Sequence, residues 1–157
     1  MLEARSARPL AVVTGASSGI GFELARQFAM HDYDVIVTAE NDIESAAQRI
    51  QNEFPAVAID NIKADLREYE EVEKLCAFID ATNRSVAAIA INAGVGVGGK
   101  FEETSLDEEL DMIALNVAST AHLAKRTVQR MLERAEGGRI LFTSSVVANM
   151  PSPYQAV

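Results

Sequence analysis

The stretch Leu10 to Gly21, LAVVTGASSGIG, constrains the fold of this chain more than any other. Leu10 to Val13 is an apolar run closed by Thr14, the composition of a short buried strand. Gly15, Gly19 and Gly21 follow at once, and Ile20, Phe22, Leu24, Ala25, Phe28 and Ala29 then recur at helical spacing. Strand, glycine turn and helix, in that order, are the context of a dinucleotide-binding fingerprint. Glycine admits positive φ and lets the backbone come close to a ligand. The N-terminus of the following helix offers free N–H groups and a partial positive charge to a pyrophosphate. A glycine turn in an ordinary βα unit uses the same residues, so the rest of the chain has to decide between the two.

Strand and helix patterns alternate along that rest. Asp34 to Thr38 reads as a second buried strand, Ala56 to Ile62 as a third, Val86 to Ile91 as a fourth and Arg139 to Thr143 as a fifth. Between them lie a helix with Ile43, Ala47 and Ile50, capped by Asn41 with Glu44 three residues on, and ended before Pro55. A helix over 67–81 places Val72, Leu75, Cys76 and Ile79 on one face. A long helix over 106–134 carries a stripe of Leu106, Leu110, Ile113, Val117, Ala121, Ala124, Val128 and Met131, and Gly137 and Gly138 end it. After Ser145 only loop signals follow. Strands alternating with helices predict an α/β fold. It is a doubly wound parallel sheet of order 3-2-1-4-5 with right-handed crossovers, covered on both faces in three α/β/α layers. Ligands of such sheets bind beyond the carboxyl ends of the strands, where the strand order reverses. The polar and glycine residues gather there: Thr14 to Gly21, Glu40, Asp65, Asn92 to Gly94, and Ser144 with Ser145.

Composition narrows the function. The 157 residues are 48% apolar and fit one domain over 9–157, behind a flexible tail over 1–8. A net charge of −9 argues against a nucleic-acid partner, whose binding rests on Lys and Arg. No apolar run reaches membrane-spanning length, so no membrane partner is expected. The single cysteine, Cys76, fits a reducing, cytoplasmic setting and reads as a buried structural thiol. His31 and His122 are too scattered to hold a metal, and Glu68, Glu70, Glu71 and Glu73 read as a solvated helix face.

A second glycine cluster competes for the ligand. Gly94, Gly96 and Gly99 match dinucleotide spacing, and Gly94, Gly99 and Lys100 nearly match a phosphate-binding P-loop. Such a loop needs Ser or Thr after the Lys, and Phe101 stands there. The next helix begins several residues later, so the cluster is expected to form a wall of the first site.

Taken together these motifs resemble the short-chain dehydrogenase/reductase family. Thr14-Gly15-Ala16-Ser17-Ser18-Gly19-Ile20-Gly21 is similar to its TGxxxGIG cofactor loop. Asp65-Leu66 resembles its adenine-contacting pair, and Asn92-Ala93-Gly94 its NNAG motif, with Ile91 in place of the first Asn. Asn116 falls where the family keeps an active-site Asn, and Ser144-Ser145 resembles the run ending in its catalytic Ser. The resemblance implies a Rossmann-like fold and hydride transfer between NAD or NADP and an alcohol or ketone. Ser145 would hydrogen-bond the substrate oxygen, and Asn116 would hold a proton-relaying water. It also implies a homodimer or homotetramer built on the long helix.

Two departures matter. The family's catalytic Tyr lies thirteen positions beyond its Ser, which here is one residue past Val157, so the fold is expected to be incomplete at the C-terminus and the 157 residues alone inactive. Members preferring NADP commonly carry a basic residue before the second loop glycine or just after the second strand. Ser18 and Glu40 hold those positions, which implies NAD, with Glu40 in place of the usual Asp as the ribose contact because Ala39 ends the strand. The alternative is a non-catalytic dinucleotide-binding or dimerisation module.

Overall fold

The apolar runs close into strands because each finds a parallel neighbour to receive its backbone hydrogen bonds. In the computed structural model, which describes residues 8–135, 137–150 and 152–155, β1 (Leu10–Thr14) lies at the centre of a five-stranded sheet. β2 (Asp34–Ala39) and β4 (Val86–Ile91) flank it, with β3 (Ile59–Lys63) and β5 (Arg139–Phe142) outside. Every pair is parallel and the order is 3-2-1-4-5, as the alternation predicts. The register sets Thr14 level with Thr38, so β2 runs one residue beyond the end of β1.

Period-two alternation divides the strand residues between two cores. Leu10, Val12 and Ile36 pack with Val72, Leu75 and Ile79 of α3 (Tyr69–Ala81) and with Leu115 and Leu123 of the long helix. Val13, Val35 and Val37 pack with Phe22, Ala25 and Ala29 of α1 (Gly19–Met30) and Ile43, Ala47 and Ile50 of α2 (Ile43–Glu53). A strand buried on both faces favours apolar residues, which is why these runs read as nearly continuous apolar stretches; Thr14, Asp34 and Thr38 are the buried polar residues of β1 and β2.

The elements depart from the sequence reading at several places. The cap of α2 is Asp42, not Asn41: Asp42 Oδ1 accepts from the Ser45 N–H at 3.2 Å, so the helix starts one residue later. The third strand begins at Ile59 rather than Ala56. The preceding residues turn, and the Gln51 side chain takes the place of a ladder partner by donating to Val57 O at 2.9 Å and accepting from Ile59 N at 3.2 Å. The long helix is three pieces in one: α4 (Leu106–Ile113), a π-helical segment (Ala114–Ser119) and α5 (Thr120–Glu133). A short 3₁₀ turn, Val146–Ala148, follows β5 where only loop was expected. Most of the predicted apolar stripe of the long helix also faces away from the sheet, Ala124 packing against the core as its exception. Leu106, Leu110, Ile113, Val117 and Val128 are exposed, while Met112, Leu115, Ser119, Leu123 and Thr127 are buried.

At the amino ends of the strands the sheet is tied together by charge. Asp34 is buried; its Oδ1 accepts from Ala58 N at 2.9 Å and its Oδ2 lies 2.9 Å from Arg84 Nη1, out of hydrogen-bond alignment. Arg84 Nη2 donates to Arg8 O at 2.7 Å, so Arg8, the last residue of the expected tail, is held to the fold. The rest of that tail, 1–7, lies outside the described residues.

Candidate functional site

The site is built on the carboxyl ends of β1 and β4. Thr14 is fully buried, and its hydroxyl oxygen accepts from Asn92 N at 2.9 Å and from Ala93 N at 3.0 Å. Asn92 Nδ2 returns a bond to Thr14 O at 3.1 Å, and Asn92 Oδ1 accepts from Thr143 Oγ1 at 2.8 Å. One hydroxyl and one amide thus fix the relative height of the ends of β1, β4 and β5.

The glycine turn hangs from this junction. A Cβ on Gly15 would lie 2.8 Å from Ala93 Cα, and one on Gly21 would lie 2.2 Å from Gly15 O, so side chains are excluded by close packing at both. Gly19 differs: its φ is +56°, yet its Cβ would meet nothing within 4 Å. The space it leaves open is where a ligand would approach the start of α1. Ser18, the N-cap, makes no side-chain cap bond, and the first turn of α1 holds no acidic residue. Helices α3 and α4 do carry carboxylates in their first turns. The N-terminus of α1 therefore keeps its positive end free for an anion, the property that a dinucleotide pyrophosphate requires.

A cleft of about 950 Å³ opens beside this turn. It brings together Gly15, Ser18 and Ile20 from the glycine turn, Asn92, Ala93 and Gly94 after β4, Asn116 from the π-helical segment, and Ser144 and Ser145 after β5. Val95, Gly96 and Val97 also line it, so the second glycine cluster contributes a wall. Lys100, the would-be P-loop lysine, is instead paired with Glu103 at 2.8 Å. Asn116 is committed to that wall: its Oδ1 accepts from Val95 N at 3.0 Å and its Nδ2 donates to Val95 O at 2.8 Å. Ser145 is exposed and caps the 3₁₀ turn, accepting from Val147 N at 3.4 Å.

Other expected residues lie apart from the cleft lining. Thr14, Gly19 and Gly21 support the turn from behind or at its rim, and Ser17 is half-buried next to Ser18. Leu66 is buried in the core against α3, so only its main chain is available to a ligand. Glu40 and Asp65 stand at the ends of β2 and β3, joined by Arg67, which the motifs did not single out. Hydrogen bonds from Arg67 hold the Asp65 carboxyl below the usual carboxylate range. Thr143 was also missed, since its bond to Asn92 crosses between strands far apart in sequence.

The remaining singled-out groups have structural partners. Cys76 is buried, and burial pushes its thiol pKa up. His122 bonds Glu73 at 2.6 Å and stacks on Tyr69, so Glu73 departs from the expected solvated face. Among the described residues there is no group of metal-ligating side chains, and no helix is long and apolar enough to cross a membrane.

Comparison with known proteins agrees with this geometry. An uncharacterized oxidoreductase of Schizosaccharomyces pombe is 32% identical over 144 residues, which cover 90% of this chain and 46% of that protein. An alcohol dehydrogenase of Thermococcus sibiricus, complexed with 5-hydroxy-NADP, superposes with a TM-score of 0.86 at 29% identity, over 94% of this chain and 63% of its own. A short-chain dehydrogenase of Sphingobium yanoikuyae in complex with NADPH gives 0.83 at 27% identity, over 92% and 56%. The chain therefore spans about half the length of these relatives. The sequence pattern of the short chain dehydrogenases matches residues 9–157 throughout, and by sequence and fold alike the chain belongs to that family of NAD(P)-dependent oxidoreductases.

Proposed function

We propose that the protein containing this chain transfers a hydride between NAD and a small alcohol or ketone. The observation that carries this reading is the single cleft joining the glycine turn, Asn92 to Gly94, Asn116 and Ser145 where the strand order reverses. The nicotinamide cofactor, when bound, donates or accepts the hydride. The chain's own residues bind and orient. The open N-terminus of α1 would hold the pyrophosphate through the N–H groups of its first turn, the Ala16 N–H being spent on Thr38 O. Ser145 Oγ, exposed at the cleft, accepts from Val147 N and keeps its O–H to donate to the substrate oxygen, stabilising the charge that develops there. Asn116 has spent one donor and one acceptor site on Val95, so its second amide N–H and the second lone pair of Oδ1 remain to hold a relaying water. In the family the proton donor is a Tyr assisted by a Lys four residues on. These 157 residues hold no Tyr-x-x-x-Lys, so turnover is expected of the longer protein and not of this chain alone.

NAD is favoured over NADP on local charge. Ser18 and Glu40 occupy the positions where a basic residue would meet a 2′-phosphate, and Glu40 would repel one. The structural neighbours bound to NADPH and 5-hydroxy-NADP support a nicotinamide dinucleotide as the ligand class.

The test is steady-state kinetics of the longer protein with a panel of alcohols and ketones. Ser145→Ala should lower kcat about 10²-fold or more, in the range seen when a preorganised donor to a developing oxyanion is removed. NAD affinity should stay nearly unchanged, and Ser144→Ala should matter less. A Ser145→Ala enzyme that keeps its turnover would place the substrate elsewhere.

A further inference from the structure

Arg67 follows directly on the Asp65-Leu66 pair and is half-buried at the ends of β2 and β3. Its Nε donates to Asp65 Oδ1 at 2.9 Å and Oδ2 at 3.1 Å, and its Nη2 donates to Asp65 Oδ2 at 2.7 Å and to Glu40 Oε2. Its Nη1 lies 3.8 Å from Asp111 Oδ2 on α4. Asp65 therefore fixes one edge of the guanidinium, and Glu40 takes an N–H of the outer end. Three carboxylates against one guanidinium leave the group with a net charge of −2. A phosphate oxygen accepts a charge-assisted bond from a guanidinium N–H as a carboxylate oxygen does. Glu40 thus sits where a 2′-phosphate would bind if the ribose lies beside it.

We propose that Glu40 and Arg67 act as one selectivity device: Glu40 masks an arginine that would otherwise anchor a 2′-phosphate. This rests on the reading that the ends of β2 and β3 hold the adenosine half of the cofactor. With Glu40 charged, the outer Nη2 N–H is occupied and its surroundings are negative, so only the unphosphorylated ribose is accepted. With the charge of Glu40 removed, Arg67 stays oriented by Asp65 and turns its free N–H toward the phosphate. Selectivity then resides in the pairing of two residues and not in the acidic residue alone.

The experiment is calorimetric titration of the longer protein, and of its variants, with NAD and with NADP. Wild type should bind NAD more tightly. Glu40→Gln should raise NADP affinity about tenfold or more. The double variant Glu40→Gln/Arg67→Gln should lose that gain, while Glu40→Gln/Arg67→Lys, which keeps the charge without the fork, should keep part of it. A gain that survives in the double glutamine variant would overturn the proposal, because Glu40 would then act by repulsion alone. No gain in Glu40→Gln, or a wild type that prefers NADP, would overturn it as well. Wild-type protein that binds neither dinucleotide would instead overturn the underlying reading of the site.

Discussion

Thr14 is the residue on which the strand ends converge. It is buried, and its one oxygen serves the N–H groups of both Asn92 and Ala93. Thr14→Val keeps the shape and removes the acceptor, leaving two amide donors without it. An unsatisfied buried donor costs about 1–3 kcal/mol, so the variant should unfold at clearly lower denaturant concentration, with a loss of about 2 kcal/mol or more. A denaturation midpoint equal to wild type would show that another group takes over those amides. At this scale the legible residues were those fixed by local chain geometry. The glycines of the turn were readable because a turn into a helix needs them within a few positions. Arg67 and Thr143 were not, because the bonds that carry them across strands, to Glu40 and to Asn92, span 27 and 51 positions. No spacing rule within one segment shows which strand end another will meet. Leu66 was legible as a position in a motif, but the burial of its side chain depended on packing against α3.

Among the elements, α2 and the long helix show how far local signals reach. Either of two adjacent polar residues could cap α2, and Asp42 does so through Ser45 N. Asp42→Ala should therefore cost about 1 kcal/mol, the usual worth of an N-cap, and Asn41→Ala should cost less. Equal losses from the two in thermal unfolding would mean that both side chains share the cap. The long helix was readable in extent because its apolar residues recur at three and four positions. Its π-helical segment was not, because the same recurrence tolerates one wider turn. The structure pays that turn a hydrogen bond from Ser119 Oγ to Leu115 O at 2.5 Å, and places Asn116 opposite the glycine loop that it clamps. The recurrence also misleads about direction. This helix has two apolar rows, and the longer of them, from Leu106 to Val128, faces away from the sheet.

For the whole molecule, that outward row is the principal uncovered apolar feature of the helical layer among the described residues. Rows of this kind favour association, and we expect the protein to sediment as a dimer or larger at micromolar concentration. Leu110→Asp, on the exposed side of α4, should shift it toward monomer; a wild type that is already a clean monomer would remove this expectation. Sheet order was legible because alternating strand and helix patterns leave few arrangements of a parallel sheet. What lay beyond reading was the opposite end of the sheet, where Asp34, Arg84 and Arg8 join β1, β2, the start of β3 and the approach to β4. Every one of those bonds lies at an amino end of a strand, and the cleft opens beyond the carboxyl ends. The two ends are thereby decoupled. Exposed cleft side chains such as Ser145 can be exchanged without loosening the charges that set the strands side by side, whereas Thr14 and Asn92 tie strand ends together, so a change of specificity confined to the former need not carry a change of fold.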